Sequence, residues 1–469
     1  TMWCTTPEIS WHNRDPVLSI DIQNGIYKTS KDEIFWRIVT GGADSHILIW
    51  HLTMNENGGA IVKCVADLER HQRAVNVVRF SPSKNILASG DDATIVLWKQ
   101  KEDCEFFITS EETKDKEQWI SWKVLRGHLE DVYDISWSPN SNMLVSGSVD
   151  NTAILWDIHK GRSVAILSDH KGFVQGVSWD PCNQYICTIS TDRYSIICRL
   201  IDINTKKTVQ RIYKAKIPTR ADHPIKDKIV RLFYDDTFKS FFRRLTFSID
   251  GSLLIVPSGI IEPIETSERV SNTTLIFSRH NLKDRPLILL PSLDECTIAV
   301  RCCPLYFELQ NDGPTPVIAL PYRMVFAVAT QHSIMIYDTQ QISPIAVISN
   351  IHYTRLTDVA WSDDGRILIA SSTDGYCSII HFQKGELGQE YKKQSDIPIN
   401  TIKQKKDLDN KMEIEETEDI KLVYNEESTN EVIKVNISQK DISQKSEVPL
   451  IIPSKTPRRV QLITLSSPK

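Results

Sequence analysis

The stretch that decides the fold covers residues 126–156 and reads RGHLEDVYDISWSPNSNMLVSGSVDNTAILW. It holds a histidine at His128, an aspartate at Asp150 and a tryptophan at its end, Trp156. Between them apolar and polar residues alternate with the period of a β-strand, and Ser-Pro-Asn is typical of a tight turn. These residues therefore predict several short strands joined by turns.

The same spacing recurs along the chain. An aspartate lies six residues before the end of a predicted strand in five places: Asp44 before Trp50, Asp92 before Trp98, Asp150 before Trp156, Asp192 before Cys198, and Asp374 before Ile380. A histidine stands 27 or 28 residues before three of these ends, at His71, His128 and His170. A histidine, a turn aspartate and a strand-ending tryptophan at fixed spacing predict blades of a WD-repeat β-propeller, an all-β fold.

One hydrogen-bonded chain is expected to join the strands of each blade. In the third unit its members are Ser146, Asp150, His128 and Trp156, and a carboxylate tolerates this position because amide and imidazole protons solvate its charge. The other residues predicted to serve this structural network are His71, Asp92, Trp98, His170, Asp192 and Asp374. Catalytic groups do not normally recur once per repeat, so we interpret this set as structural.

Seven such units follow one another, which predicts a seven-bladed propeller over residues 1–384. Two of them are degenerate, because Ser271 and Gln331 stand where the turn aspartate is expected. Repeats of this kind bury their apolar faces only by stacking on their neighbours.

The composition changes after residue 384. Residues 385–452 are rich in Lys, Glu, Asp, Gln, Ser and Asn, which predicts a disordered charged linker because so little apolar surface does not offset the ordering entropy. Its acidic run at 413–419 is interpreted as a solvated linker or, alternatively, as a segment attracted to basic partners such as histones.

Residues 453–469 predict a short extended partner-binding motif. Pro453 and Pro457 block a helix, Arg458 and Arg459 supply planar donors, and the apolar residues that follow favour a strand that adds to a partner's sheet. A nuclear-localisation patch or a simple disordered end remains open as the alternative.

Charge and cysteine usage narrow the class of protein. The net charge of −5 argues against a propeller that grips DNA over a wide surface. A local basic patch is predicted at Arg243 and Arg244 and in the insertion at 206–239, the alternative being a blade-edge ion pair and an exposed loop. Ten scattered cysteines without Cys-x-x-Cys spacing predict reduced thiols, and neither a membrane span nor a signal peptide is expected.

Several stretches go beyond general propeller features and resemble the WD-repeat (middle) subunit of the chromatin assembly factor complex, a histone chaperone. They are EISWHN at 8–13, RHQRAVNVVRFSP at 70–82, LRGHLEDVYDI at 125–135, DDTFKSFFRRL at 235–245, RCCPLYFEL at 301–309 and SNIHY at 349–353.

The resemblance implies a non-enzymatic nuclear scaffold, without cofactor or metal, that deposits core histones three and four onto DNA during replication and repair. The implied partners are the large subunit of the complex, the anti-silencing-function histone chaperone and core histones three and four, with no membrane contact and little direct DNA binding. The implied anchors for the anti-silencing chaperone are Arg458, Arg459, Val460 and Leu465. In this family a Thr-Pro-Leu run usually follows the arginines, whereas Ile-Thr-Leu stands here at 463–465.

Two other classes of function were considered. A substrate receptor of a cullin ubiquitin ligase usually shows an arginine two residues after a Trp-Asp strand end, where this chain has His159. An enzyme housed in a propeller needs convergent acids, metal ligands or a nucleophile at the central channel, and the sequence shows none above the structural background.

Overall fold

A computed structural model describes residues 2–25, 27–28, 33–55, 59–83, 85–101, 117–192, 195–219, 228–234, 240–261, 270–282, 285–292 and 295–392. Within these residues the regular elements are β-strands apart from one 3-10 turn, Arg279–Asn281. The predicted linker beyond 392 and the predicted motif at 453–469 lie outside the described residues.

The first half of the described chain forms two large sheets and the outer strand of a third. Its strands are β1 (Trp3–Thr5), β2 (Val17–Ile22), β3 (Tyr27–Lys28), β4 (Ile34–Gly42), β5 (Ile47–Met54), β6 (Ala60–Leu68), β7 (Val77–Phe80), β8 (Ile86–Gly90), β9 (Asp92–Gln100), β10 (Trp119–Trp137), β11 (Met143–Ser148), β12 (Ala153–Asp157) and β13 (Arg162–Leu167). Strands β2, β4, β5 and β6 pair in that order, and β7 to β13 pair consecutively.

The second half forms four four-stranded antiparallel sheets and a separate two-stranded ribbon. Its strands are β14 (Val174–Trp179), β15 (Tyr185–Asp192), β16 (Ser195–Asp202), β17 (Thr208–Ile212), β18 (Lys214–Lys216), β19 (Ile229–Arg231), β20 (Thr246–Phe247), β21 (Leu253–Ile261), β22 (Ser271–Ser278), β23 (Ile288–Ser292), β24 (Thr297–Phe307), β25 (Arg323–Thr330), β26 (Ser333–Asp338), β27 (Ala346–Ser349), β28 (Leu356–Trp361), β29 (Ile367–Ser372) and β30 (Cys377–His381). Strands β18 and β19 form the ribbon.

The sheets close into a ring around their innermost strands. In order these strands are β2, β7, β10, β14, β20, β24 and β28, each packs beside the next, and β28 packs beside β2. Apart from the first half of β10, the valines and isoleucines of these strands are buried, as a strand between two packed sheets requires. This is the propeller arrangement that the repeats predict.

Strand β10 belongs to two predicted blades at once. Its first half pairs with β9 and its second half with β11, and the register with β9 shifts between Arg126 and Asp131. Because this strand fuses two units into one seven-stranded sheet, the described residues form six sheets besides the two-stranded ribbon where seven units are predicted, and seven blades stays a prediction.

The packed part of the chain extends beyond the boundary predicted at residue 384. Leu387 is buried in the last apolar cluster, Glu390 bridges to Phe307, and the ring of Tyr391 packs against Tyr322. The predicted start of the linker therefore lies too early in the sequence, because the side chains of Leu387 and Tyr391 still pack against the sheets.

Candidate functional site

The third blade contains a continuous hydrogen-bonded chain. Nδ1 of His128 lies 2.8 Å from Oδ2 of Asp150, its Nε2 lies 2.7 Å from Oγ of Ser146, and Nε1 of Trp156 donates to the same Oγ at 2.8 Å. Burial alone raises the pKa of Asp150, but hydrogen bonds from His128 and Thr152 lower it to about 2. The carboxylate stays ionised and fixes the turn to the loop that enters the blade.

The first blade repeats this geometry, and the last blade keeps its histidine–aspartate pair but takes its serine from a different strand. His12 Nδ1 lies 2.9 Å from Asp44, and Thr40 Oγ1 takes the place of Ser146 between that histidine and Trp50, at 2.8 Å from each. In the last blade Nδ1 of His352 lies 3.0 Å from Asp374, and its Nε2 lies 2.9 Å from Oγ of Ser378.

The second blade uses a different aspartate from the predicted one. His71 Nδ1 lies 2.8 Å from Oδ2 of Asp91, whereas the carboxylate of the predicted Asp92 is 3.7 Å from Arg73. The turn is one residue shorter here, since Ser89 precedes Trp98 by nine residues and Ser146 precedes Trp156 by ten. Counting six residues back from Trp98 therefore stops at Asp92, one position short of the aspartate that pairs with the histidine.

The fourth blade breaks the predicted pair. His170 Nε2 bonds to Oγ1 of Thr188 at 2.8 Å, but Asp192 forms its ion pair with Arg199. Strand register places Ile201 opposite Ile186, where the third blade has its tryptophan, and Arg199 opposite Thr188. Burial and the charge of Arg199 lower the pKa of His170 to about 4.

The sixth blade carries a reversed version that sequence spacing missed. The carboxylate of Glu295 stands before β24, and the histidine, His332, stands in the turn, with Nδ1 2.7 Å from Oε1. Thr330 Oγ1 also donates to Glu295 at 2.6 Å. The sequence signal that could have predicted this pair is a carboxylate near the start of the blade together with a histidine in the turn.

The centre of the ring is filled by ion pairs between blades. Arg79 Nη1 lies 2.7 Å from Asp358, Arg244 Nη1 lies 3.0 Å from Asp134, and a third guanidinium, Arg301, approaches Asp358 at 3.7 Å. Burial raises the pKa of Asp358, but the three guanidinium groups hold it well below its usual range. These charges link inner strands of different blades, and their acids already bind cations of the same chain.

The predicted docking patch at Arg243 and Arg244 is wrong. Both residues are buried at the centre, and Nε of Arg243 donates to Oε1 of Gln175 at 2.7 Å. Gly176 permits this approach, since a Cβ there would lie 1.9 Å from the carbonyl oxygen of Arg243. The FFRR run at 241–244 predicts an exposed basic patch, but in the folded ring both arginines are buried.

One group of metal-ligand residue types lies together in the described part of the chain. Ligand atoms of His46, Asp67 and Glu69 lie within 4.8 Å of one another. The hydrogen bond to Asp67 raises the pKa of His46, which favours the imidazolium and a surface ion pair.

In the described residues, no helix has the length and apolar character needed to cross a membrane.

Apolar side chains project from the loops that follow the blade histidines. Leu129 and Tyr353 each donate a backbone N–H to the turn aspartate of their blade at 3.0 Å. Their side chains are 81% and 96% exposed. Each of these exposed apolar side chains therefore stands on a backbone that its turn aspartate holds in place.

Comparison with known proteins identifies the family. The family model described as the CAF1B/HIR1 beta-propeller domain matches residues 2–387. The chain belongs to the CAF1B/HIR1 beta-propeller family. Among curated relatives, it is 46% identical over 412 residues to a Gallus gallus protein named as a subunit of chromatin assembly factor 1, with 84% of this chain and 70% of that protein covered.

Two further relatives agree. The Mus musculus protein of the same name is 47% identical over 411 residues, covering 84% of this chain and 69% of the relative. The Oryza sativa protein named Chromatin assembly factor 1 subunit FAS2 homolog is 38% identical over 396 residues, covering 82% and 74%.

These matches confirm the resemblance to the WD-repeat subunit of the chromatin assembly factor complex and the β-propeller fold. Members of the CAF1B/HIR1 beta-propeller family are scaffold proteins, and the family is not a known enzyme family. The anchors implied in the tail, Arg458, Arg459, Val460 and Leu465, lie outside the described residues.

Proposed function

We propose that this chain is the non-enzymatic scaffold subunit of a nuclear histone chaperone complex that deposits core histones three and four onto DNA during replication and repair. The observation that carries the proposal is the match across the propeller to two relatives named as subunits of chromatin assembly factor 1, at 46% and 47% identity. It does not depend on a catalytic centre.

The proposed mechanism is assembly on a rigid ring. Ion pairs of Arg79, Arg244 and Arg301 with buried aspartates lock inner strands together, so the loops keep fixed positions. Exposed apolar residues such as Leu129 and Tyr353 then offer surface to the large subunit of the complex. A partner held by the tail gains an effective concentration near the ring without any new contact.

Copurification tests the scaffold role. The full chain is expected to copurify with the large subunit of the chromatin assembly factor complex and to support deposition of histones three and four on plasmid DNA. Recovery of a cullin adaptor in place of that subunit would contradict the proposal and favour a ubiquitin-ligase receptor.

The tail is proposed to bind the anti-silencing-function histone chaperone by strand addition. Replacing both Arg458 and Arg459 with Ala in the full chain removes two planar donors that suit a partner carboxylate, and we expect affinity to fall by about 100-fold or more, since charged hydrogen bonds contribute about 1.5–3 kcal/mol each. Isothermal titration with the purified chaperone measures the change.

Lys455→Ala is the matched control, because it removes one positive charge from the same segment but none of the implied anchors. It should bind almost as well as the unaltered chain. Equal affinity of the double-arginine variant would remove the tail from the mechanism while leaving the scaffold proposal standing.

A further inference from the structure

The ribbon of β18 and β19 presents one fixed outward face. Register pairs Lys214 with Arg231, Ala215 with Val230, and Lys216 with Ile229. Ala215 and Val230 are buried in the apolar cluster shared with the fourth and fifth blades. Because paired residues of antiparallel strands point to the same side, the other two pairs form the opposite, outer face.

This outer face is strongly basic. From residue 203 to residue 221 the chain has six Lys or Arg residues and no Asp or Glu, although its net charge is −5. Register places Lys214, Lys216 and Arg231 on this one face. Three basic side chains on one face favour an acidic ligand.

The face is also partly apolar. Ile229, which pairs with Lys216 on this face, is 68% exposed. Burying an aliphatic side chain stabilises a complex with a polypeptide, whereas a sugar-phosphate backbone offers it little apolar surface. An acidic polypeptide segment that also carries aliphatic residues fits this face better than DNA.

The chain itself contains a segment of this kind. Residues 413–420 read EIEETEDI, with five acidic residues and an isoleucine at each of positions 414 and 420. Its acidic residues therefore complement the basic residues of the ribbon face, and its isoleucines complement the exposed Ile229.

The segment is close enough along the chain to reach the ribbon. Tyr391 packs on Tyr322, whose hydroxyl donates to Asp250 just before β21. Leu232, directly after β19, lies at the other end of β21, where its carbonyl oxygen accepts the backbone N–H of Ile260. Nine residues of strand span about 30 Å. The 21 residues from 392 to 413 cover roughly 25 Å as a flexible coil and more when extended.

We propose that the outer face of the β18–β19 ribbon binds the chain's own acidic run, residues 413–419. The run occupies the ribbon in the free protein and is displaced by any acidic partner that binds there. Because only 21 residues separate the run from residue 392, tethering gives it an effective concentration of about a millimolar at the ribbon, so it competes strongly with the same sequence added as a free peptide.

Peptide binding to the full chain tests the proposal. The probe is a fluorescent peptide with the sequence of residues 413–420, measured by anisotropy at low salt. A variant with Gln at 413, 415, 416 and 418 and Asn at 419 should bind this probe at least about 10-fold more tightly than the unaltered chain. Adding Lys214→Glu and Lys216→Glu to that variant should abolish binding.

The matched control carries Lys63→Glu and Lys101→Glu, two exposed lysines on other blades. In the neutralised background it should bind the probe as tightly as the neutralised variant alone. Unchanged melting temperatures show that each variant is folded, and Lys214→Gln with Lys216→Gln serves if charge reversal disturbs the ribbon.

Three results would overturn the inference. The neutralised variant could bind the probe no more tightly than the unaltered chain, or the ribbon lysines could have no effect on probe binding. The third is lysine-dependent binding of a 20-base-pair duplex without binding of the peptide, which would make the ribbon a nucleic-acid surface.

Discussion

At the scale of single residues, six of the predicted blades hold a carboxylate at or near a turn in the described part of the chain. Asp150, Asp44 and Asp91 face an imidazole, whereas Asp192 faces a guanidinium and Glu295 faces a turn histidine from the opposite side of the pair. What the position requires is enough donors to solvate a charge that is partly removed from water. Residue identity varies where another donor comes within reach.

The buried imidazole of His170 predicts a pH-dependent stability. Its pKa falls from 6.5 to about 4 in the folded chain, so between these values the unfolded state binds more protons and stability drops as pH falls. Urea unfolding at pH 6.5 and pH 5 should show His170→Gln losing ~2 kcal/mol less than the unaltered chain over this interval. His280→Gln, at an exposed site, should retain the full loss. Parallel pH profiles for all three chains would contradict the assignment.

At the scale of elements, the ring is closed by strands far apart in sequence. Strand β1 pairs with β30 through Trp3 with His381, Cys4 with Ile380 and Thr5 with Ile379, and becomes the outer strand of the last sheet. The first and last segments of the propeller thus complete one blade. Without β1 the last sheet would expose the edge of β30.

Proline substitutions in β1 should weaken the pairing of β1 with β30. Adjacent amides of an edge strand point alternately toward and away from its neighbour, so Cys4→Pro combined with Thr5→Pro removes one ladder hydrogen bond whichever way the strand faces. The melting temperature should fall by roughly 3–6 °C. Cys4→Ser with Thr5→Ser keeps both amides and should melt close to the unaltered chain. Equal melting of the two double variants would show that β1 contributes little.

At the scale of the whole molecule, charge replaces apolar packing at the centre of the ring. Asp358 on β28 faces guanidinium groups from β7, from the segment before β20 and from β24. Its position ties four blades to one carboxylate. Buried ion pairs of this kind add little net free energy relative to apolar packing, but removing one member leaves the others uncompensated.

Neutralising Asp358 should therefore destabilise the entire propeller. Asp358→Asn leaves three guanidinium groups, two of them buried, with one anion fewer, and we expect a loss of about 3–5 kcal/mol in the free energy of unfolding by guanidinium chloride. Asp363→Asn removes the same charge from an exposed turn of the same blade and should change the free energy by less than about 0.5 kcal/mol. A loss below about 1 kcal/mol for Asp358→Asn would show that the central ion pairs do not hold the ring.

The sequence by itself determined the blades, because strand period, turn residues and the His–Asp spacing act within about 30 residues. It therefore placed His128, Ser146, Asp150 and Trp156 in one unit, and it carried the family resemblance. Only the tertiary structure decided which aspartate a shortened turn presents, that β1 completes the last sheet, and that Arg244 lies buried near Asp134 and Asp358. The last two of these outcomes depend on ring closure, which brings together side chains more than 100 residues apart. Burial and the pairing of charge are properties of that closed packing, and no local spacing contains them.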